Sequence, residues 1–156
     1  MKKLNQWIDR FAYSHPRFGI PNLMLYIVIA NAVTYILTLF AGAAALSFLE
    51  FDLYHVLYGE VWRLVTFVLL PFTYRPISLF IMLSFCYFVG GTLEREWGTA
   101  KFTLYYLSGM LFSVLSTVIL SLATGYYGWS LSDAYYINLT MFLAFAVMYP
   151  DAQVWF

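Results

Sequence analysis

Asn22-Leu23-Met24-Leu25-Tyr26-Ile27-Val28-Ile29-Ala30-Asn31-Ala32-Val33-Thr34-Tyr35-Ile36-Leu37-Thr38-Leu39-Phe40-Ala41-Gly42-Ala43-Ala44-Ala45 contains no charged side chain, and the uncharged stretch around it reaches from Phe18 to Leu49. About 20 apolar residues in an α-helix cross a bilayer core. The run therefore predicts a first transmembrane helix near residues 22–45. Ala30, Thr34, Thr38 and Gly42 recur along it at every fourth position, a spacing that lets a second helix approach closely.

Composition extends the same conclusion to the whole chain. Of the 156 residues, 63% are hydrophobic and 10% charged, whereas a soluble domain is about a quarter charged. Too little polar surface exists to cover a water-soluble globule. The formal net charge of zero supplies no field to recruit nucleic acid. The single cysteine, Cys86, excludes an intramolecular disulfide. Tyr and Trp are abundant and suit the membrane–water boundary.

N-terminal to the first run, Leu4, Trp7, Ile8 and Phe11 fall at helical spacing, with Lys2, Lys3, Asp9 and Arg10 off that stripe. Residues 1–16 are thus expected to form a short amphipathic helix on the membrane surface, stopped at Pro16. No apolar run follows Lys2 and Lys3 before Pro16, so the start does not have the form of a cleaved signal, and the first long run is expected to act as an uncleaved anchor.

C-terminal to it, residues 48–75 are apolar and aromatic but interrupted by Glu50, Asp52, Glu60, Arg63 and Arg75. The clean part, Leu64–Tyr74, is too short to span and contains Pro71, which predicts a long structured loop partly in the interface. Uncharged runs predict further spans near 76–93, 102–124 and 134–149, with Thr99 as N-cap of the third and Gly125–Asp133 as a turn before the fourth. Gly109, Ser113, Thr117 and Ser121 form a second small-residue stripe, expected to be a helix-packing face, with Leu111 toward lipid. Asn138 and Thr140 lie at lipid depth, where polar groups are expected to bond across helices. A further apolar stretch opens at Ala152–Phe156. The fold class is all-α: a polytopic bundle of about four transmembrane helices, residues 20–156 forming the membrane domain. With the N-terminus inside, Lys2, Lys3, Arg10, Arg17, Arg95 and Lys101 face the cytoplasm against Arg63 and Arg75 outside, which predicts N-in, C-in.

Three motifs then stand in order. Gly59-Glu60-Val61-Trp62-Arg63-Leu64-Val65-Thr66 lies in the first loop, Gly90-Gly91-Thr92-Leu93-Glu94-Arg95-Glu96-Trp97-Gly98 closes the second span, and Tyr105-Tyr106-Leu107-Ser108-Gly109 lies near the start of the third. Together they resemble the rhomboid superfamily, whose members include intramembrane serine proteases and inactive relatives such as the derlins and inactive rhomboids. The resemblance covers about 20–150 and singles out Gly59, Trp62, Arg63, Gly90, Glu94 and Gly98 as structural motif residues. It implies that Trp62-Arg63 anchors the first loop among headgroups and disturbs the bilayer locally; the plainer alternative is an interfacial aromatic beside a snorkelling arginine. Glu60 is placed to pair with Arg63 if that stretch is helical. Glu94 is expected to accept hydrogen bonds from the amides that open the third helix.

The resemblance also says what is expected to be lacking. Active rhomboids carry Gly-x-Ser-Gly at the start of helix 4 and a histidine on helix 6. Anchored on Ala144-Phe145-Ala146-Val147-Met148-Tyr149-Pro150, the serine position falls near Tyr135, within Asp133-Ala134-Tyr135-Tyr136-Ile137-Asn138-Leu139-Thr140. The helix 2 histidine and asparagine that help hold the oxyanion fall near Ser78 and Met82. The membrane domain is expected to end before helices 5 and 6. No catalytic residue, cofactor or metal ligand is therefore assigned. His15 and His55 stand apart from any second ligand, and Ser108, Ser130 and Ser132 have no base assigned to them.

The expected function is a non-catalytic rhomboid-like protein that binds or handles transmembrane segments of other proteins, with the lipid bilayer and client helices as partners and no nucleic acid. It would reside in the plasma membrane if bacterial. The alternatives are a fragment or divergent member of a rhomboid serine protease, and a truncated product without independent function. The topology has a direct check. In a Cys86→Ser background, Thr99→Cys should react with an impermeant maleimide only from the cytoplasmic face, and labelling from outside would reverse the orientation.

Overall fold

The computed structural model describes residues 2–71, 73–127, 130–131 and 135–151. Ser132 and the apolar stretch Ala152–Phe156 lie outside the described residues, as does part of the Gly125–Asp133 linker. Helix α1 (Lys2–Ser14) precedes α2 (Leu23–Ala41). The first loop carries a 3-10 turn (Ala43–Leu46), strand β1 (Phe51–Asp52), helices α3 (Leu53–Leu57) and α4 (Arg63–Thr66), and a second 3-10 turn (Phe67–Leu69). Helices α5 (Pro76–Trp97), α6 (Thr99–Thr124) and α7 (Tyr135–Met148) follow, with strand β2 (Ser130–Leu131) ahead of α7. The two short strands pair antiparallel, Phe51 opposite Leu131 and Asp52 opposite Ser130, so the stretch predicted as a turn adds an edge to the first loop.

Helices α2, α5 and α6, of 19, 22 and 26 residues, are long and apolar enough to cross a membrane. At a rise of 1.5 Å per residue, the 14 residues of α7 reach only about 21 Å, so the predicted fourth span is shorter than a bilayer core. The other boundaries shift for local reasons. The first span ends at Ala41 rather than 45, where Gly42 breaks the helix with a positive φ. The second runs past Leu93 to Trp97, because Glu94, Arg95 and Glu96 interrupt hydropathy but not helix formation; the helix stops at Gly98, whose φ of 87° suits glycine. The third consequently begins at Thr99, and Gly98, not Thr99, occupies its N-cap position.

Buried apolar residues form one cluster that draws on all four long helices and the first loop. Met24 and Ile27 of α2, Val89 and Leu93 of α5, Phe102 and Tyr106 of α6, and Ile137 and Met141 of α7 are buried together. The outward faces are no less apolar: Phe40 is 86% exposed, Phe80 74% and Val147 80%. A helix that is hydrophobic all round belongs in lipid. Two glycines set helix spacing. A Cβ on Gly90 would lie 2.5 Å from Cγ of Met24, and one on Gly109 would lie 3.2 Å from Cγ2 of Ile137. The hydroxyls of Ser113, Thr117 and Ser121 donate to carbonyls one turn back, at 2.9, 3.1 and 2.9 Å, so the polar stripe is satisfied within its own helix.

Gly109→Leu should therefore destabilise the protein by about 2 kcal/mol through overpacking against Ile137. Leu111→Ile, on the exposed face of the same helix, should be silent. Unfolding titrations in mixed detergent micelles distinguish the two, and equal losses would show that the Gly109 face does not set the α6–α7 spacing.

Candidate functional site

The motif residues gather at opposite ends of the bundle. At the loop end, α4 is a single turn that carries Arg63 inward, where it is 4% exposed. Its Nε donates to the Glu60 carboxylate, the pairing expected at this spacing, and its Nη1 donates to the carbonyls of Ser47 and Glu50, the latter at 2.8 Å. The guanidinium does not snorkel. It closes a stretch of irregular backbone whose carbonyls would otherwise lack donors. Trp62 turns the other way and stays half exposed, so the Trp-Arg pair divides between surface and interior. Gly59, with φ of 105°, makes the turn that brings Glu60 back toward Arg63.

Two side chains of α2 sew this loop to the helix before it, and a third ties the loop to itself. Nδ2 of Asn31, fully buried on α2, donates to the carbonyls of Ile27 (2.9 Å) and Val68 (3.2 Å). Oγ1 of Thr34 donates to the Leu69 carbonyl at 2.6 Å, and Oγ1 of Thr66 to that of Leu49 at 3.1 Å. Phe51, Phe67 and Val68 are buried in the core cluster, so the loop is a part of the interior and not merely a surface segment. Asn31 was not singled out by sequence reasoning. Its signal is a lone amide in the middle of an uncharged run, which is costly in lipid unless it faces protein.

At the other end, Glu94 takes a different partner from the one expected. Its Oε1 accepts from the backbone N–H of Asn22, the N-cap residue of α2, at 2.9 Å, and from Oγ1 of Thr99 at 3.2 Å. The carboxylate thus serves the start of α2 rather than the free amides of α6, because Gly98 turns the chain so that only the Thr99 hydroxyl reaches it. Neighbouring contacts converge here. The Ile20 amide donates to Oγ1 of Thr103 at 3.1 Å, Lys101 pairs with Asp9 of α1, and the Tyr149 hydroxyl donates to Glu96 at 2.7 Å. Acceptance by the Glu96 carboxylate holds the Tyr149 phenol above its ordinary range. The start of α2, the end of α5, the start of α6 and the end of α7 therefore share one end.

Tyr135, expected near the family's serine position, opens α7 half exposed and is followed by exposed Tyr136. Asn138, one turn on, is buried, and among the described residues neither side-chain atom has a hydrogen-bond partner. Thr140 donates to the Ile137 carbonyl of its own helix at 2.8 Å. The interhelical bonds expected of these two are thus not made among the described residues. Ser78 and Met82 lie half-buried on α5. Oγ of Ser108 donates to the Tyr105 carbonyl at 2.7 Å. His55 Nδ1 bonds Asp52 at 2.8 Å, and His15 stacks on Phe11 with centroids 4.8 Å apart. Among the described residues no cluster of three metal-ligating side chains occurs.

Apolar spanning helices, a hydrogen-bonded first loop and a carboxylate at the opposite end define a polytopic integral membrane protein in contact with lipid. Residues 58–152, more than half of the chain, match the family model of the rhomboid domain, and the chain belongs to the rhomboid family. Comparison with curated proteins and with solved structures returned no match.

Removing the guanidinium leaves several acceptors unpaired in the interior. Arg63→Met should cost about 3 kcal/mol, whereas Trp62→Phe should cost little. Glu94→Ala should cost about 1 kcal/mol, the scale of a lost helix cap. Thermal unfolding in detergent ranks the three, and a silent Arg63→Met would remove Arg63 from its role in the loop.

Proposed function

We propose that the chain is a non-catalytic rhomboid-family protein that binds transmembrane segments of other proteins. The carrying observation is Tyr135, a bulky phenol where active relatives place the nucleophilic serine, with Tyr136 in place of the following glycine. A phenol is a poor substitute for a serine activated by a neighbouring base. Ser78 and Met82 replace the histidine and asparagine of the oxyanion site, so the substitutions touch both halves of the chemistry. The motif residues Gly59, Trp62, Arg63, Gly90, Glu94 and Gly98 keep structural roles in this reading, and Gly109, Ser113 and Thr117 keep a helix-packing role.

Support for helix binding comes from a lateral groove of about 420 Å³ between α6 and α7, lined by Ser108, Gly109, Ser113, Ser116 and Thr140 with Phe112 at its wall. Small residues permit the close backbone approach on which helix association in lipid depends. The proposed orientation places the N-terminus in the cytoplasm, on the lysine and arginine distribution.

Two measurements test the reading. Purified protein should not react with a fluorophosphonate or cleave a generic transmembrane substrate; stoichiometric labelling of a serine, or cleavage lost with one Ser→Ala change, would refute the non-catalytic assignment. A photocrosslinker at Phe112 should capture a co-expressed single-span helix, while one at Ile29 on α2 should not. Equal capture at both sites would refute selective helix binding.

A further inference from the structure

A cleft of about 610 Å³ runs between α1 and α6. Leu4, Trp7 and Ile8 form one wall, and Trp97, Leu104 and Tyr105 the other. It extends from Lys101 to Ser108, seven positions along α6, or about 10 Å of helix. Trp97 and Tyr105 meet edge to face at 5.3 Å, which gives that wall a fixed aromatic surface. The facing helix is held but not covered. Lys101 pairs with Asp9, yet α1 has no buried residue, and Leu4 and Trp7 are 62% and 61% exposed.

We propose that this cleft binds one anionic phospholipid, an acyl chain lying between the two aromatic walls and the headgroup at the Lys101 rim. Hydrocarbon is the occupant that suits the mostly apolar lining, with Asn5, Asp9, Lys101 and Ser108 as its polar members, beside a helix that spans the bilayer. Paired tryptophans belong at the level where chain meets headgroup. Charge selects the headgroup: the Asp9–Lys101 pair on the cleft is neutral, and the rest of α1 carries Lys2, Lys3 and Arg10, so the helix flanking the cleft is net positive. An interfacial helix with cations on its polar side attracts anionic lipid.

The chain carries its own probes. A variant with Trp97 alone, Trp7, Trp62, Trp129 and Trp155 being replaced by phenylalanine, is reconstituted in phosphatidylcholine vesicles with a minority of phosphatidylglycerol. The bromines are placed on the chains of one lipid or the other. Brominated phosphatidylglycerol should quench Trp97 as though enriched about fivefold over its bulk fraction, the factor supplied by one effective cation. A Trp62-only companion, reporting on the loop end, should see both labels in bulk ratio. Lys101→Gln should reduce the enrichment, and Ser108→Phe should reduce quenching by either lipid. In the unaltered chain, native mass spectrometry after detergent exchange should retain one phosphatidylglycerol, which Ser108→Phe loses. Quenching of Trp97 in bulk ratio would mean ordinary boundary lipid and overturn the proposal. Absence of quenching together with crosslinking of Trp97 regions between copies would overturn it in favour of a protein-filled cleft.

Discussion

Backbone carbonyls at membrane depth need donors, and outside a regular helix the backbone does not supply them. This requirement governs the first loop. Ser47, Glu50, Leu49, Val68 and Leu69 all present carbonyls in irregular backbone, and each is met by a side chain: the Arg63 guanidinium, Thr66, Asn31 or Thr34. Because two of those donors sit on α2, the loop and the helix before it form one hydrogen-bonded unit. The aromatic side chains that follow, Phe51 and Phe67, are then placed in the core and not in lipid.

The same requirement explains what was legible in the sequence. Long uncharged runs reveal spans because lipid tolerates little else, and the three spanning helices lie where hydropathy places them. Their ends are less legible, since Glu94, Arg95 and Glu96 look like a break while remaining helical, and the true stop is one glycine later. The Glu60–Arg63 pair is expected if that stretch is helical; α4 begins only at Arg63, and a single turn, with the Arg63 amide donating to the Glu60 carbonyl at 3.2 Å, brings the two together. Arg63's inward turn does not, because spacing cannot distinguish an arginine that reaches headgroups from one that binds carbonyls 13 and 16 residues earlier. Glu94's partner was hidden for a related reason: the acceptor and the Asn22 amide are 72 positions apart, and no local pattern joins them.

The scaffold and the chemistry of this family are separable in the chain. The loop motif and the Gly-rich end of α5 act on backbone geometry and hydrogen bonding, and they persist with matching partners. In the proposed non-catalytic reading, the position that acts on substrate in active relatives is held by Tyr135 at the head of α7. The architecture itself rests on the hydrogen bonds of Arg63 and Glu94 and on close packing at Gly90 and Gly109.

The Glu94–Asn22 bond also imposes an order in time. As the chain emerges from the ribosome, the Asn22 amide at the N-cap of α2 is synthesised 72 residues ahead of the carboxylate that will accept its hydrogen bond. Until Glu94 is made, that amide has no carboxylate to bond, and water or headgroups are the acceptors at hand. Closure comes only after α5 has crossed and its final turn has emerged beside Asn22. The carboxylate is thus a latch set late in biogenesis: it records that the second crossing has returned to the face from which the first departed.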